Sequence, residues 1–96
     1  MRMMAKISIP VDAGNRAIAD GTIGKVMQNV AEQWRPEAMY FTAHDGQRTA
    51  YIIFDQADTT DIPSFAEPLF AGLGADINLT PVMNAEDLQR GLARLS

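Results

Sequence analysis

The sequence predicts an α+β fold, one antiparallel sheet covered on one face by helices, and three observations carry that prediction. Glu37 to Asp55 holds two runs rich in aromatic and β-branched residues around His44-Asp45-Gly46-Gln47, a strong hairpin signature. The segments on either side of this hairpin carry apolar residues at helical spacing. Short alternating segments near both ends of the chain supply the outer strands. With 96 residues there is room for one domain only.

Lys6 to Val11 reads as the first strand, with Ile7, Ile9 and Val11 alternating against Lys6, Ser8 and Pro10. Pro10 has no amide donor and suits a strand end or an edge. The methionine-rich start, Met1 to Met4, is expected to be unstructured. Asp12-Ala13-Gly14-Asn15 then opens a helix running to about Trp34, with Ala19, Ile23, Val26, Met27, Val30 and Trp34 on one stripe. Gly21 and Gly24 weaken that helix, and a break is expected near Asp20-Gly21. Arg35-Pro36 ends it, because the residue before proline avoids the α region.

The hairpin pairs His44 with Gln47, Thr42 with Thr49 and Tyr40 with Tyr51. Ala57 to Asp61 is turn-like, and Ile62 to Leu73 is a second helix on Ile62, Phe65, Ala66, Leu69, Phe70 and Leu73. Pro63 suits its first turn, whereas Pro68 predicts a kink or a restart. Asp76 to Met83 reads as the fourth strand. Asn84 with Asp87 resembles a capping pair for a last helix bearing Leu88, Leu92 and Leu95. The resulting β-α-β-β-α-β order with a terminal helix is the ferredoxin-like, split βαβ arrangement.

Composition narrows the chemistry. There is no cysteine and one histidine, so thiolate nucleophiles, disulfides and an all-histidine metal cage are excluded, and no metal or other cofactor is expected. The net charge is −4, and the eight basic residues are scattered with no two adjacent, which argues against nucleic acid or an anionic membrane as partner. No secretory signal or span of ~18 apolar residues is present, so a soluble, cytoplasmic protein is expected.

Register sorts the sheet into two faces. Met39, Phe41, Ala43, Ala50, Ile52 and Phe54, with Ile7, Ile9, Ile77 and Leu79, form the face that helices would cover. Tyr40, Thr42, His44, Gln47, Thr49, Tyr51, Ile53 and Asp55, with Lys6, Ser8, Asn78 and Thr80, form the other. This second face is polar yet aromatic. It is either a solvent-facing sheet or a surface covered by a second subunit or a ligand. His44 is a candidate general acid or base, or a solvated turn residue beside Asp45. Tyr51 is the second candidate for proton transfer, and Ser8, Tyr40, Thr42, Thr49 and Asn78 are candidate ligand contacts. Trp34 is expected in the core. No phosphate-binding glycine loop and no Ser-His-Asp arrangement can be argued.

The same element order builds RNA-recognition modules. Across Gln47 to Phe54, however, Thr49 replaces one stacking aromatic and Arg48 replaces a glycine, while Ser8 stands where the first strand would carry another aromatic. One stacking platform on an acidic domain makes a poor RNA binder.

Four segments carry a resemblance: Ile7-Ser-Ile-Pro-Val11, Ala50-Tyr-Ile-Ile-Phe-Asp55, Phe65-Ala-Glu-Pro68, and Leu79-Thr-Pro-Val82 followed by an acidic helix. Together they resemble the dimeric α/β-barrel superfamily, including its antibiotic-biosynthesis-monooxygenase-like proteins, and more narrowly a bacterial family of short ferredoxin-like domains. The resemblance implies a homodimer with sheets packed face to face and a cavity between each sheet and its helices or loops. Members range from cofactor-independent oxygenases and isomerases to haem enzymes and proteins without known activity, so the fold does not fix a reaction. The expectation is a homodimer that binds a small aromatic or enolic ligand on the open sheet face. The alternatives are an oxygenase or isomerase using His44 and Tyr51, and a structural interaction module without a ligand. Ile18, off the first helix's stripe, is a candidate second contact.

Overall fold

The structure is a computed structural model that describes residues 1–95. It is α+β, with strands β1 (Arg2–Ile9), β2 (Ala38–His44), β3 (Gln47–Asp55) and β4 (Asp76–Pro81). The helices are α1 (Val11–Ala19), α2 (Thr22–Trp34), α3 (Ile62–Leu73) and α4 (Ala85–Ala93), and a short 3-10 turn precedes α3. The four strands form one antiparallel sheet in the order β2-β3-β1-β4.

The hairpin has the register that its turn dictates. Asp45 and Gly46 both take positive φ, 53° and 75°, as a two-residue turn of the type that matches strand twist requires. Tyr40 therefore lies opposite Tyr51, Thr42 opposite Thr49 and His44 opposite Gln47. The alternation along β1 and β3 places Ala5, Ile7, Ile52 and Phe54 in the core, where they meet Val30, Phe65 and Leu69 from the helices. Trp34 completes that core edge-on, 5.7 Å from Phe54 and 5.5 Å from Phe65, whose own rings stack at 4.4 Å.

Four expectations change and one, the helix break, is met in full. β1 starts at Arg2, because Met3 pairs with Phe54 and is buried on the helix side; the methionine-rich start is strand. Val11 belongs to α1, since Pro10 ends the strand and occupies the helix's N-cap position. The break at Asp20-Gly21 is complete: Gly21 has φ 80°, Asp20 Oδ1 accepts from Thr22 N at 2.9 Å, and the turn leaves Ala19 exposed. β4 stops at Pro81, which has no amide to extend the ladder.

Lastly, α3 runs through Pro68 as one helix. Phe65, Ala66, Leu69 and Leu73 are buried while Pro68 is exposed, so packing on both sides of the proline holds the helical path. The ring still costs a hydrogen bond and crowds the preceding turn, about 3 kcal/mol in a helix interior. Losing proline also frees the unfolded chain by ~1 kcal/mol. Pro68→Ala should therefore raise stability by about 2 kcal/mol, seen as a higher denaturant midpoint with an unchanged slope. An unchanged or lower midpoint would count against an unrelieved proline.

Candidate functional site

Helices α1 to α3 leave one face of the sheet open, and the strand registers set out its side chains in rows. Tyr40, Tyr51, Lys6 and Asn78 form one row across the four strands. Thr42, Thr49, Ser8 and Asp76 form the next, and His44 with Gln47 closes the hairpin end. Tyr40 is 67% exposed, a large area for an aromatic ring.

A hollow of about 280 Å³ opens on this face, lined by Lys6, Ser8, His44, Gln47, Asp76 and Asn78 among others. It unites three of the candidate residues, Ser8, His44 and Asn78, and adds a cation that the sequence patterning had placed only on the same face. The wall is mixed: Lys6 and Asn78 offer N–H donors, Ser8 a hydroxyl, and Asp45 and Asp76 carboxylates. Such a set can hold a small molecule carrying a carbonyl, enolate or carboxylate oxygen.

The remaining candidates divide. Thr42 is exposed, whereas Thr49 is only 3% exposed and its hydroxyl donates to the Gln47 carbonyl at 3.1 Å. Thr49 thus shapes the sheet, and Thr42 is the accessible threonine of the pair. His44 is the last residue of β2, half exposed, with Nε2 3.3 Å from Asp45 Oδ2. Tyr51 lies two pairing rows away, about 13 Å along the strand at ~3.3 Å per residue. The two proton-transfer candidates are not brought together within one chain. Among the described residues, no three His, Asp or Glu side chains gather to hold a metal ion, and no helix is long and apolar enough to cross a membrane.

A second concavity lies on the opposite, helix-covered face, where the residue patterning placed Phe41 under the helices. Phe41 is instead 61% exposed, because burial falls away along β2 toward the hairpin tip. It borders an apolar groove of about 320 Å³, lined also by Ile9, Ile23, Gly24, Met27, Arg48 and Ala50 among others. Alternation identifies the side of the sheet that Phe41 occupies. It does not say how far the helical layer extends; the sequence signal was Gly24, a glycine inside α2.

The far end of the sheet is built from charges that satisfy one another. Arg2 donates from Nε to Glu37 and from Nη1 to Asp87, and Arg90 also pairs with Asp87. Asp87 and Asn84 form the expected capping box, with Asp87 N donating to Asn84 Oδ1 at 2.8 Å and Asn84 N to Asp87 Oδ2 at 3.1 Å. The Asn84 amide, then Arg2 and Arg90, hold the Asp87 carboxyl below its ordinary value of 3.8. A carboxyl depressed in the folded state adds stability that is present above its unfolded pKa and is lost as the pH falls through the folded one. The amide resonances of Leu88 and Leu92 should therefore report a helical α4 at neutral pH and its fraying well below pH 3.8. Asp87→Asn should fray α4 already at neutral pH. Equal helicity in both proteins across that range would contradict the assignment.

Comparison with protein-family models and with curated proteins found no match for this chain.

Proposed function

We propose that the chain is a ferredoxin-like domain of the dimeric α/β-barrel type, in which two copies appose their open sheet faces and bind a small molecule there. The observation that carries this reading is the open face itself. It presents the exposed Tyr40 in register with Tyr51 and Lys6, beside a hollow lined by Ser8, His44 and Asn78. A solvated sheet face has no need of paired aromatic rings, whereas an interface centre is enriched in them. The tyrosine rings suit a flat ligand, and Lys6 with Asn78 suits an oxygen carrying negative charge. A small aromatic acid or an enolic diketone meets both conditions.

Titration with salicylate and with acetylacetone, followed by amide chemical shifts, tests the ligand half. Shifts confined to Lys6, Ser8, Tyr40, His44, Gln47, Tyr51 and Asn78 are expected. Asn78→Ala should weaken binding about five- to tenfold, the worth of one hydrogen bond of ~1 kcal/mol. A dimer whose open face responds to neither probe would favour the structural interaction module. An enzymatic reading rests on His44, which lies in the hollow with Nε2 3.3 Å from Asp45 Oδ2. The separation of His44 from Tyr51 makes binding the better-supported function.

A further inference from the structure

The sheet has two edges, and they are not guarded alike. β4 begins at Asp76 and ends at Pro81, and charge and proline are the usual devices that stop an edge from pairing with another chain. β2 has neither. From Ala38 to His44 it contains no lysine, arginine, aspartate, glutamate, proline or glycine. Both sides of this edge are bare, with Tyr40 exposed on the open face and Phe41 exposed on the helix side.

The hairpin fixes which backbone groups of β2 are free. A two-residue turn makes His44 and Gln47 a hydrogen-bonded pair, so Thr42, Tyr40 and Ala38 bond to β3 as well. The N–H and C=O groups of Met39, Phe41 and Ala43 therefore point away from the sheet. Thr42 Oγ1 donates to the Ala43 carbonyl at 3.5 Å, and nothing else among the described residues bonds to this row.

We infer that this edge pairs with the same edge of a second copy, antiparallel about a twofold axis through Phe41. That register sets Phe41 opposite its counterpart, Met39 opposite Ala43 and Tyr40 opposite Thr42. It alone engages all three outward residues, at two hydrogen bonds for each facing pair.

Charge and symmetry favour a second copy as the occupant. About a twofold axis a strand meets its own residues, so a charged strand repels itself. On a chain of net charge −4, β2 meets its copy without that repulsion. The acids that flank it are held on their own chain, Glu37 by Arg2 and Asp45 beside His44 Nε2. Seven residues make a strip about 24 Å long and about 10 Å deep, well below the roughly 800 Å² per partner of a stable interface. The contact is therefore weak, with a Kd on the order of 100 μM. It goes beyond the open-face homodimer and does not require it, since it uses the outer backbone of β2 and not the side chains of the open face.

The absence of cysteine lets crosslinking read the register. Facing Cα atoms in a hydrogen-bonded antiparallel pair lie about 5.5 Å apart, within disulfide reach, whereas the two copies of Ala43 would lie about 13 Å apart. At about 200 μM under mild oxidation, Phe41→Cys should link to itself at least about tenfold faster than Ala43→Cys does, and Ala43→Cys should link readily to Met39→Cys. Phe41 points to the helix side, so apposed open faces cannot produce its link. Sedimentation velocity of the full chain should show the mass rising between about 10 μM and about 1 mM. Phe41→Lys and Phe41→Glu, at an exposed position, should each keep the fold and the micromolar mass and weaken the edge contact about tenfold or more. Mixing the two should restore it, because opposite charges then face each other. No rise in mass up to about 1 mM, or equal self-linking at positions 41 and 43, would overturn the edge contact and leave the open-face dimer standing. A parent that is a single chain at micromolar concentration, yet gains mass above it in a way that Phe41→Glu abolishes, would uphold the edge contact and overturn the open-face dimer.

Discussion

Phe65→Ala should cost about 3–5 kcal/mol of folding stability, the usual penalty for emptying a buried aromatic site. The Phe65 ring stacks on Phe54 at 4.4 Å and meets the Trp34 edge at 5.5 Å, with 1% of its surface exposed. These three rings join α2, β3 and α3, so the cavity would open where sheet and helices meet and could not close by moving one side chain. A domain of this size has a total stability of about 5–10 kcal/mol. Each kcal/mol moves the melting midpoint by ~4–8 °C. The midpoint should therefore fall by about 15–30 °C, which calorimetry would measure. A fall of a few degrees would mean that the aromatic cluster does not anchor the helical layer.

Tyr40→Glu should leave the fold intact and break the dimer. Tyr40 is largely exposed in a single chain, and substitutions at such positions usually change folding stability by less than ~0.5 kcal/mol. In the proposed dimer the same position is desolvated, and burying an unpaired carboxylate costs several kcal/mol. At about 1.4 kcal/mol for each factor of ten, a penalty of ~3 kcal/mol weakens association about a hundredfold. Sedimentation velocity over a concentration series reads this directly, with circular dichroism as the check on folding. A variant that dimerises as tightly as the parent would place the interface elsewhere.

These two residues also show what a sequence of this kind makes legible. The pairing of Tyr40 with Tyr51 was readable because Asp45-Gly46 fixes the hairpin register, and side-chain alternation follows from register. The cap of α4 was readable because Asn84 and Asp87 carry the required groups at the required spacing. What stayed hidden depends on tertiary reach. Met3 becomes strand because Phe54 and Pro81 flank it, and methionine has no strong local preference to announce this. Pro68 stays helical because buried neighbours on both sides outweigh its local cost. Phe41 faces the helix side as its alternation requires and is still exposed, since periodicity gives a direction and not an extent of cover. The hollow had the same limit: Ser8, His44 and Asn78 shared a face in the sequence, and only the β4-β1-β3-β2 order brings Ser8 and Asn78 to the hairpin end beside His44.

The account turns on the open sheet face being a contact between two copies. Size-exclusion chromatography with light scattering on the full chain at micromolar concentration is the most direct measurement. The predicted mass is about 21 kDa, twice the 10.5 kDa of one chain, with Tyr40→Glu eluting as the single chain. A parent protein with a mass of 10.5 kDa at that concentration would contradict it.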